Sequence, residues 1–300
     1  MQDKFKEEKI KLSKLILDKC NNKDGSFKTD IPFLHFFTTS TKTNFVHVIY
    51  EPSICIALQG SKEVYFGKNQ KGYDEHTYLL SSTNIPANIR IEDTSKGKPY
   101  VSLKITFTLE QIYEVMKEIG EDNIPSKKKT DAGLFFDELT MELLDPVSRL
   151  INLLDAPKKN RDFMSKLVLK EFLFILLNGQ SGEFLKQYVM EGSITNQIVK
   201  IISKLKEDFA ESINMKEIAD EFDMSESSLY HSFKKITMIS PLQFQKKLRL
   251  EEAKNLLIST NIDVSEVAFQ VGYESPSQFS REYSRMFGMS PKAHINSIKS

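Results

Sequence analysis

Two stretches near the C-terminal end decide the fold: residues 218–244 read IADEFDMSESSLYHSFKKITMISPLQF, and residues 267–295 read VAFQVGYESPSQFSREYSRMFGMSPKAHI. The second stretch repeats the first, with an offset of 49 residues before an internal turn and 50 residues after it. The repeat predicts one structural unit that occurs twice. The matching positions are Ala219 with Ala268, Leu229 with Phe279, Phe233 with Tyr283, and Ser240-Pro241 with Ser290-Pro291.

Each copy has the features of a helix-turn-helix. The small alanine allows the second helix to pack closely across the first, and a short polar turn separates the two helices. Ser225 and Ser275 are predicted N-caps of the second helices. Pro276 occupies a first helical position, where its missing N–H is not required. The two turns are Asp223-Met224-Ser225 and Gly272-Tyr273-Glu274.

The second helix of each copy buries two large apolar side chains at positions i and i+4, so its opposite face is left to enter a major groove. On that face Arg281 is suited to read guanine through two hydrogen bonds and Gln278 to read adenine, while serines and lysines suit phosphates. The alternative is a solvated polar face of a helical bundle, and two copies in register weigh against it. The predicted DNA-binding residues are Ser227, Ser228, Tyr230, His231, Lys234 and Lys235 in the first copy, and Ser277, Gln278, Ser280, Arg281, Ser284 and Arg285 in the second.

A predicted helix joins the two copies. It begins at Ser240-Pro241 and continues through LQFQKKLRLEEAKNLLIS. About 18 residues give roughly 27 Å of helix at 1.5 Å per residue. That length is close to the ~34 Å between successive major-groove faces. One chain is therefore expected to engage two adjacent major-groove segments of double-stranded DNA.

The charge of the chain permits this interpretation without requiring it. The 41 Lys and Arg residues balance 41 Asp and Glu residues, so the formal net charge is zero. Basic residues nevertheless concentrate between Ser228 and Lys254, where the only acidic residues are Glu251 and Glu252. A local basic face can neutralise phosphates while the rest of a domain stays balanced. These residues are Lys234, Lys235, Lys246, Lys247, Arg249 and Lys254.

The segment from about Ser212 to Ile295 resembles the DNA-binding domain of the AraC/XylS family. The resemblance rests on the bridging SPLQFQKKLRLEEAKNLL (240–257) and the closing VAFQVGYESPSQFSREYSRMFGMSP (267–291). It implies a sequence-specific transcription regulator that binds promoter DNA and contacts RNA polymerase. One departure is Met238, where the family usually has glycine. Helices often end on a left-handed glycine there, so the sequence leaves this turn undecided.

The N-terminal half has a different pattern. Short β runs at 45–50, 54–58, 62–66, 77–81, 87–92 and 100–107 predict a compact antiparallel barrel or sandwich after a helix at 6–19. Helical periodicity follows, with helices predicted at 109–119, 134–144, 147–155 (after a break at Asp145-Pro146) and 166–178. The last is apolar over most of its circumference, so it is expected in a core or an interface. A domain boundary is predicted between Met190 and Ser193.

Three N-terminal segments resemble the sensor domain of one AraC subgroup: residues 51–67, 73–91 and 145–157. The resemblance implies a small cupin-like β-barrel followed by helices that often mediate dimerisation. The expected fold class is therefore α+β. An effector-sensing domain would span 1–190, with its β part at about 31–107 and its helical part at about 108–190. A DNA-binding domain with two helix-turn-helix units would span 193–300.

The rival interpretation is a cupin-type metalloenzyme that carries a DNA-binding tail. Many cupins hold a metal with clustered histidines and a carboxylate, whereas His35, His47 and His76 are scattered and no His-x-His precedes a Glu at ligand spacing. We therefore expect no catalytic residue, metal or cofactor. Metal analysis of the purified protein separates the two, since stoichiometric iron or manganese would favour the enzyme.

The effector is harder to predict. Cys55 lies in an apolar run and is interpreted as a small buried hydrophobe, with a thiol that senses an electrophile as the alternative. An apolar or aromatic molecule is a second hypothesis, bound near Tyr65, His76 and Tyr78. The chain has two cysteines, no apolar signal core and no span of roughly 20 apolar residues. We therefore expect a cytoplasmic protein that does not bind membranes.

The resemblance to the sensor domain is also compatible with a homodimer.

Overall fold

The computed structural model describes residues 2–95, 97–120, 132–190, 193–260 and 262–299. The chain separates into two compact units, Met1–Asn196 and Gln197–Ser300. The domain boundary predicted between Met190 and Ser193 includes residues 191 and 192, which lie outside the described residues. The division between the two units falls a few residues later, within a helix.

The N-terminal unit begins with a helix, continues with nine strands and ends in helices around a tenth. The helices are α1 (Gln2–Lys19), α2 (Leu109–Glu118), α3 (Met141–Leu153), α4 (Lys158–Asn178) and α5 (Gly182–Val189). The strands described are β1 (Gly25–Lys28), β2 (Leu34–Thr39), β3 (Val46–Tyr50), β4 (Ser53–Gln59), β5 (Ser61–Phe66), β6 (Asn69–Tyr73), β7 (Thr77–Ser81), β8 (Ile85–Asp93), β9 (Tyr100–Thr106) and β10 (Leu134–Glu138). The α+β class and all six predicted β runs are confirmed.

The strands form two antiparallel sheets, in the orders β1-β2-β9-β4-β7-β10 and β3-β8-β5-β6. The two sheets do not close into one barrel, because no ladder among the described residues joins one sheet to the other; of the two predicted arrangements, barrel or sandwich, the sandwich describes them. The central strand β4 is buried along almost its whole length, and α1 packs against it. A strand covered on both faces reads as a continuous apolar run. Such a run does not show which face of the strand points to the interior, so it does not predict whether the sheets close into a barrel.

Two of the helix predictions are wrong. Residues 134–138 were expected in a helix, but they form β10, where Phe135 lies opposite Leu80 of β7. Phe135 stacks on Phe184 at 5.3 Å between ring centroids, while Phe136 stacks on Phe66 at 6.3 Å. Adjacent aromatic side chains thus find partners on opposite faces of the strand. Tertiary pairing of this kind overrides local propensity.

Pro146 does not break the helix that contains it. The predicted break at Asp145-Pro146 is wrong, since α3 runs through both residues from Met141 to Leu153. Thr140 caps the helix by accepting a hydrogen bond from the Leu143 amide at 3.3 Å. Pro146 itself is buried, as are its neighbours on the same face. Core packing of α3 therefore offsets the one backbone hydrogen bond that proline cannot make.

The C-terminal unit is helical. Its elements are α6 (Ile194–Glu207, which begins just before the division), α7 (Met215–Glu221), α8 (Glu226–Thr237), α9 (Pro241–Ser259), α10 (Val264–Gln270), α11 (Pro276–Phe287) and α12 (Pro291–Lys299). The joining helix α9 starts with a capping box formed by Ser240 and Gln243 and has Pro241 in its first turn. Its second half supplies Leu250, Ala253 and Leu257 to a core shared with α10 and α11. The second helix pair is thus built directly on the joining helix.

Met238 adopts the conformation for which a glycine is usually required. Its φ is +66°, and its amide donates to the carbonyl of Lys234 at 2.9 Å. Gly288 ends α11 in the same way: its φ is +75°, and its amide donates a hydrogen bond to the carbonyl of Ser284 at 2.9 Å. The undecided turn is therefore left-handed in both copies. In the first copy a side chain is held where an L-residue is strained.

We expect Met238→Gly to be more stable than Met238→Ala by about 1 kcal/mol, because both lose the side chain and only glycine relieves the left-handed strain. Urea unfolding followed by circular dichroism gives the difference. As a control, Gly288→Ala should lose about 1 kcal/mol, since an added Cβ there meets no atom within 4 Å and only the backbone is strained. Equal stability of the two Met238 variants would contradict the assigned strain.

Candidate nucleic-acid interface

The turn between the two helices of each copy closes with the same hydrogen bond. The Met224 amide donates to the Ala219 carbonyl at 2.9 Å, and the Tyr273 amide donates to the Ala268 carbonyl at 2.9 Å. Both alanines are buried, which allows the paired helices to approach closely. The repeat found in the sequence is therefore a repeat of backbone geometry.

The two turns differ in how much space surrounds them. Asp223 and Gly272 hold the equivalent left-handed position, with φ +53° and +85°. Asp is among the residues that tolerate this conformation. At Gly272 an added Cβ would lie 2.0 Å from the Ala210 carbonyl oxygen. The second turn therefore admits only glycine, because both its conformation and its surroundings exclude a side chain.

The second helices, α8 and α11, start at the predicted caps. The Ser225 hydroxyl accepts from the Ser228 amide at 3.2 Å, and the Ser275 hydroxyl accepts from the Gln278 amide at 3.4 Å. One face of each helix is then buried at i, i+4 spacing, as expected. The buried residues are Leu229 and Phe233 in α8, and Phe279 and Tyr283 in α11.

The opposite faces carry the predicted contact residues. Arg281 and Arg285 are exposed, and in the part of the chain that the structure describes no acceptor lies within hydrogen-bond distance of either guanidinium. The arginines are one helical turn apart, so they extend from the same face of α11. The other exposed residues of the predicted set are Ser227, His231, Lys234, Ser277 and Gln278, and the half-buried ones are Ser228, Tyr230, Lys235, Ser280 and Ser284.

Gln278 is held in position by its neighbours. Its side-chain amide donates to Glu282 at 3.2 Å, and the same carboxylate accepts from Lys246 of α9 at 3.0 Å and from the Tyr273 hydroxyl at 3.0 Å. Burial would raise the pKa of Glu282, but these three hydrogen bonds outweigh it and hold the pKa below its ordinary value. The carboxylate is therefore charged and orients Gln278 before any ligand arrives.

The basic residues between the copies do not form one free face. Lys246 is bound to Glu282, and Lys254 pairs with Glu251 at 2.7 Å. Burial lowers the pKa of Lys247, which is half-buried on α9. Much of the positive charge counted in the sequence is thus used inside the unit, and the cations best placed for a polyanion lie on α8 and α11.

Arg249 of α9 binds four backbone carbonyls. Its guanidinium donates to Phe209 at 2.7 Å, Ala210 at 3.1 Å, Glu211 at 2.9 Å and Gly272 at 2.6 Å. It therefore ties the segment after α6 and the turn of the second copy to the joining helix. Partial burial lowers the pKa of Arg249, although an arginine stays charged in a protein. The sequence analysis counted Arg249 among the basic residues of a phosphate-binding face. Its true role was missed because its acceptors are backbone carbonyls, which leave no pattern in the sequence.

Comparison with known proteins accounts for both units. The family described as the AraC-type transcriptional regulator N-terminus matches residues 30–184, just over half of the chain. The chain belongs to the AraC family. A helix-turn-helix domain family matches residues 218–297, which include α8, α9 and α11. The relationship expected from the sequence is confirmed.

Relatives and solved structures add detail. The chain is 30% identical to the transcriptional activator RhaS of Escherichia fergusonii over 151 residues, which is 50% of this chain and 53% of that protein. It therefore spans about half the length of the curated relatives it matches. ToxT from Vibrio cholerae O395 bound to (E)-4-(8-methylnaphthalen-1-yl)but-3-enoic acid superposes with TM-score 0.59 and 13% identity, over 87% of this chain and 98% of that one. Unsaturated fatty acid-bound ToxT of strain SCE256 gives 0.57 and 11%, over 87% and 94%. These two likenesses show the fold.

The AraC-type N-terminal unit does not bring the four predicted effector residues together. Cys55 lines a cavity between the two sheets, whereas Tyr65 lies on the opposite face of β5 and donates to Glu63. His76 is exposed before β7, and Tyr78 lines a separate cavity, where it donates to Asp137 at 3.2 Å. Burial raises the pKa of the Cys55 thiol. A thiol with a raised pKa has little thiolate character, which favours its interpretation as a buried hydrophobe.

Among the described residues, no group of three or more His, Cys, Asp and Glu side chains is arranged to hold a metal ion. Within those residues, the helices also include none that is long and apolar enough to cross a membrane.

We expect Arg249→Met to destabilise the C-terminal unit by about 3 kcal/mol or more, because each lost charge-assisted hydrogen bond is worth roughly 1.5–3 kcal/mol. The carbonyls of Ala210 and Gly272 also lose their donor, whereas those of Phe209 and Glu211 still accept from the side-chain amide of Gln245. The stability of Arg249→Lys should fall between that of the unaltered chain and that of Arg249→Met, since an ammonium group cannot reach all four acceptors at once. Arg285→Met removes an arginine without partners and should change stability by no more than about 0.5 kcal/mol. Urea unfolding of the three variants measures this, and an equal loss in Arg249→Met and Arg285→Met would exclude the anchoring role.

Proposed function

We propose that the chain is a sequence-specific DNA-binding transcription regulator that inserts α8 and α11 into two adjacent major-groove segments. The observation that carries the proposal is the pair of exposed guanidinium groups, Arg281 and Arg285, on a helix whose other face is fixed in the core. An arginine without internal partners, held on a rigid helix, is suited to bind guanine edges or phosphates.

The two helices have different tasks in this proposal. On α11, Arg281 reads a guanine and Gln278 an adenine, with Gln278 pre-oriented through Glu282. On α8, His231 and Lys234 are exposed and offer hydrogen bonds and charge to bases and phosphates. The serines near the helix starts suit phosphate contacts. They are Ser227 and Ser228 on α8, and Ser277 and Ser280 on α11.

The joining helix α9 sets the spacing between the two readers. Its 19 residues correspond to about 28 Å at 1.5 Å per residue. Near its start Phe244 meets Phe233 of α8 edge to face at 5.5 Å, and near its end Leu250 and Leu257 pack under the second copy. Each reader is therefore attached to one rigid rod, which supports a fixed register along the DNA.

Arg281→Ala should lose about 1–3 kcal/mol of specific DNA affinity, the value of one good base contact, while thermal stability is unchanged. Fluorescence anisotropy with the cognate operator and with a scrambled duplex, at one fixed salt concentration, measures it. Lys200→Ala is the matched control, because Lys200 is an exposed cation on α6 and belongs to neither α8 nor α11. Full operator affinity in Arg281→Ala, or an equal loss on the scrambled duplex, would remove Arg281 from base reading.

A small-molecule effector is proposed to control DNA binding from the N-terminal unit. The support is the match of residues 30–184 to the AraC-type family and the presence of a cavity between the sheets. A ligand that binds one arrangement of the protein better than another shifts the equilibrium toward it. The proposal includes a cytoplasmic location, a contact with RNA polymerase and no enzymatic activity. The metalloenzyme alternative gains no support from the residues described.

The same unit offers a surface for a second copy of the chain. Phe163, Leu167 and Phe174 of α4 are 66%, 48% and 45% exposed. Their spacing of four and seven residues places them on one face of the helix. A groove of about 750 Å³ between α2 and α4 adjoins this face and includes Leu167. An apolar helix face of this kind pairs well with its own copy in a symmetric dimer.

Light scattering tests the dimer. The full chain should have twice the mass of one chain, and the double variant Leu167→Glu, Phe174→Glu should be monomeric, because burying like charges across a symmetric interface is unfavourable. Ile258→Glu, which changes an exposed apolar residue of α9, is the control and should leave the mass unchanged. A dimeric double variant would place the interface elsewhere.

A further inference from the structure

A cavity of about 240 Å³ lies between the two sheets of the N-terminal unit. Its walls are largely apolar and come from both sheets. At about 30 Å³ per water molecule it has room for roughly eight waters or a small organic molecule. The apolar residues that line it include Phe36, Val48, Ile49, Ile89 and Leu103.

Lys62 extends into this cavity from the inward face of β5. The residue is only 8% exposed, and three aromatic rings surround its ammonium group. The distances from Nζ to the ring centroids are 5.1 Å for Tyr100, 5.5 Å for Phe37 and 6.0 Å for Tyr73. Throughout the described ranges, no carboxylate lies within ion-pair distance of Nζ and no acceptor within hydrogen-bond distance. A nearly buried cation is thus held by aromatic faces alone.

Three phenol groups lie near Lys62. The hydroxyl oxygens of Tyr50, Tyr73 and Tyr100 are buried, and within the described residues none has a partner of good hydrogen-bond geometry, but the hydroxyl of Tyr73 lies close enough to those of Tyr50 and Tyr100 to interact with both. Tyr50 lines the cavity beside Lys62. Burial raises the pKa of Tyr50 and Tyr73 well above its ordinary value, so these groups are neutral donors. Buried polar groups are almost always satisfied, so the unpaired ammonium of Lys62, which shares the cavity with the phenol of Tyr50, requires an explanation.

The remaining charged groups of the cavity wall balance one another. Lys104 and Glu51 form an ion pair of 2.7 Å at half-exposed positions. Burial, followed by the nearby Lys104, lowers the pKa of His35, which favours the neutral ring. The wall therefore carries one net positive charge, and it belongs to Lys62.

We propose that this cavity binds the carboxylate of a small organic acid, with Lys62 as its counter-ion and the phenol of Tyr50 as a hydrogen-bond donor. An isolated ammonium in the interior is unfavourable, and an anionic ligand stabilises it through charge-assisted hydrogen bonds. The apolar walls accept the hydrocarbon part of the acid. This inference rests on the proposed effector control and names the chemical class of the effector.

Calorimetric titration of the full chain, without DNA, tests the proposal. Benzoate and hexanoate are the carboxylate probes, benzamide and hexanamide are their neutral counterparts, and inorganic phosphate is the competing anion. One of the two acids should bind with one site per chain, at least about tenfold more tightly than its amide. Lys62→Met, which retains the length of the side chain, should lower that affinity about tenfold or more.

Matched variants separate binding from folding. Lys71→Met is the control, because Lys71 also lies over an aromatic ring, Phe136 at 4.7 Å, but does not line the cavity. It should bind the acid like the unaltered chain. If Lys62→Met fails to fold, Tyr50→Phe, which removes a single oxygen from the cavity wall, should weaken binding of the acid more than binding of the amide.

Four outcomes would overturn the proposal. They are no binding of either acid at millimolar concentration, equal binding of acid and amide, unchanged affinity in a folded Lys62→Met, and binding of phosphate in place of the acids. Since no DNA is present, the result stands apart from the DNA-binding proposal. A chain that binds the acid but fails to bind any operator would leave the carboxylate site intact and contradict only the regulatory role.

Discussion

The guanidinium of Arg249 is the interaction on which the C-terminal unit depends. Four carbonyls, from Phe209, Ala210, Glu211 and Gly272, converge on it. Loop carbonyls brought together in a small helical domain would repel one another and lack partners. A single planar cation with five donors reaches all four, and the side-chain amide of Gln245 also donates to the carbonyls of Phe209 and Glu211. The segment after α6, the middle of α9 and the turn before α11 therefore meet at one point, and the face of α11 is positioned as a consequence.

The features that the sequence predicted well are local. Helix caps, the alternation of buried pairs and the offset of the repeat all depend on residues a few positions apart, and such patterns survive folding unchanged. Ser225, Ser275 and the buried pair Phe279 and Tyr283 are examples. The free face of each reader follows from the buried one. The placement of the predicted contact residues on the face opposite the buried pair thus needed only the helical period and the hydrophobic pattern, and their contact with DNA stays a prediction.

The features that were missed are long-range. Residues 134–138 pair with β7, more than fifty positions earlier in the chain, and the two-sheet arrangement depends on which face of a continuously apolar strand looks inward. In the sequence, Lys62 has the pattern of an ordinary surface residue in an alternating strand. The pairing of β5 with β8 nevertheless places its side chain in the cavity between the sheets. Arg249 binds backbone oxygens, which any sequence supplies. In each case the partner is chosen by tertiary packing, so no nearby residue signals it.

The crowding of Gly272 has a consequence for how the two copies can change. The first turn accepts aspartate at its left-handed position and lies in open surroundings, so several small polar residues are compatible with it. The second is pressed against the Ala210 carbonyl and tolerates no side chain at all. A side chain at residue 272 is therefore excluded both by backbone conformation and by the lack of space, whereas residue 223 has to satisfy only the conformation.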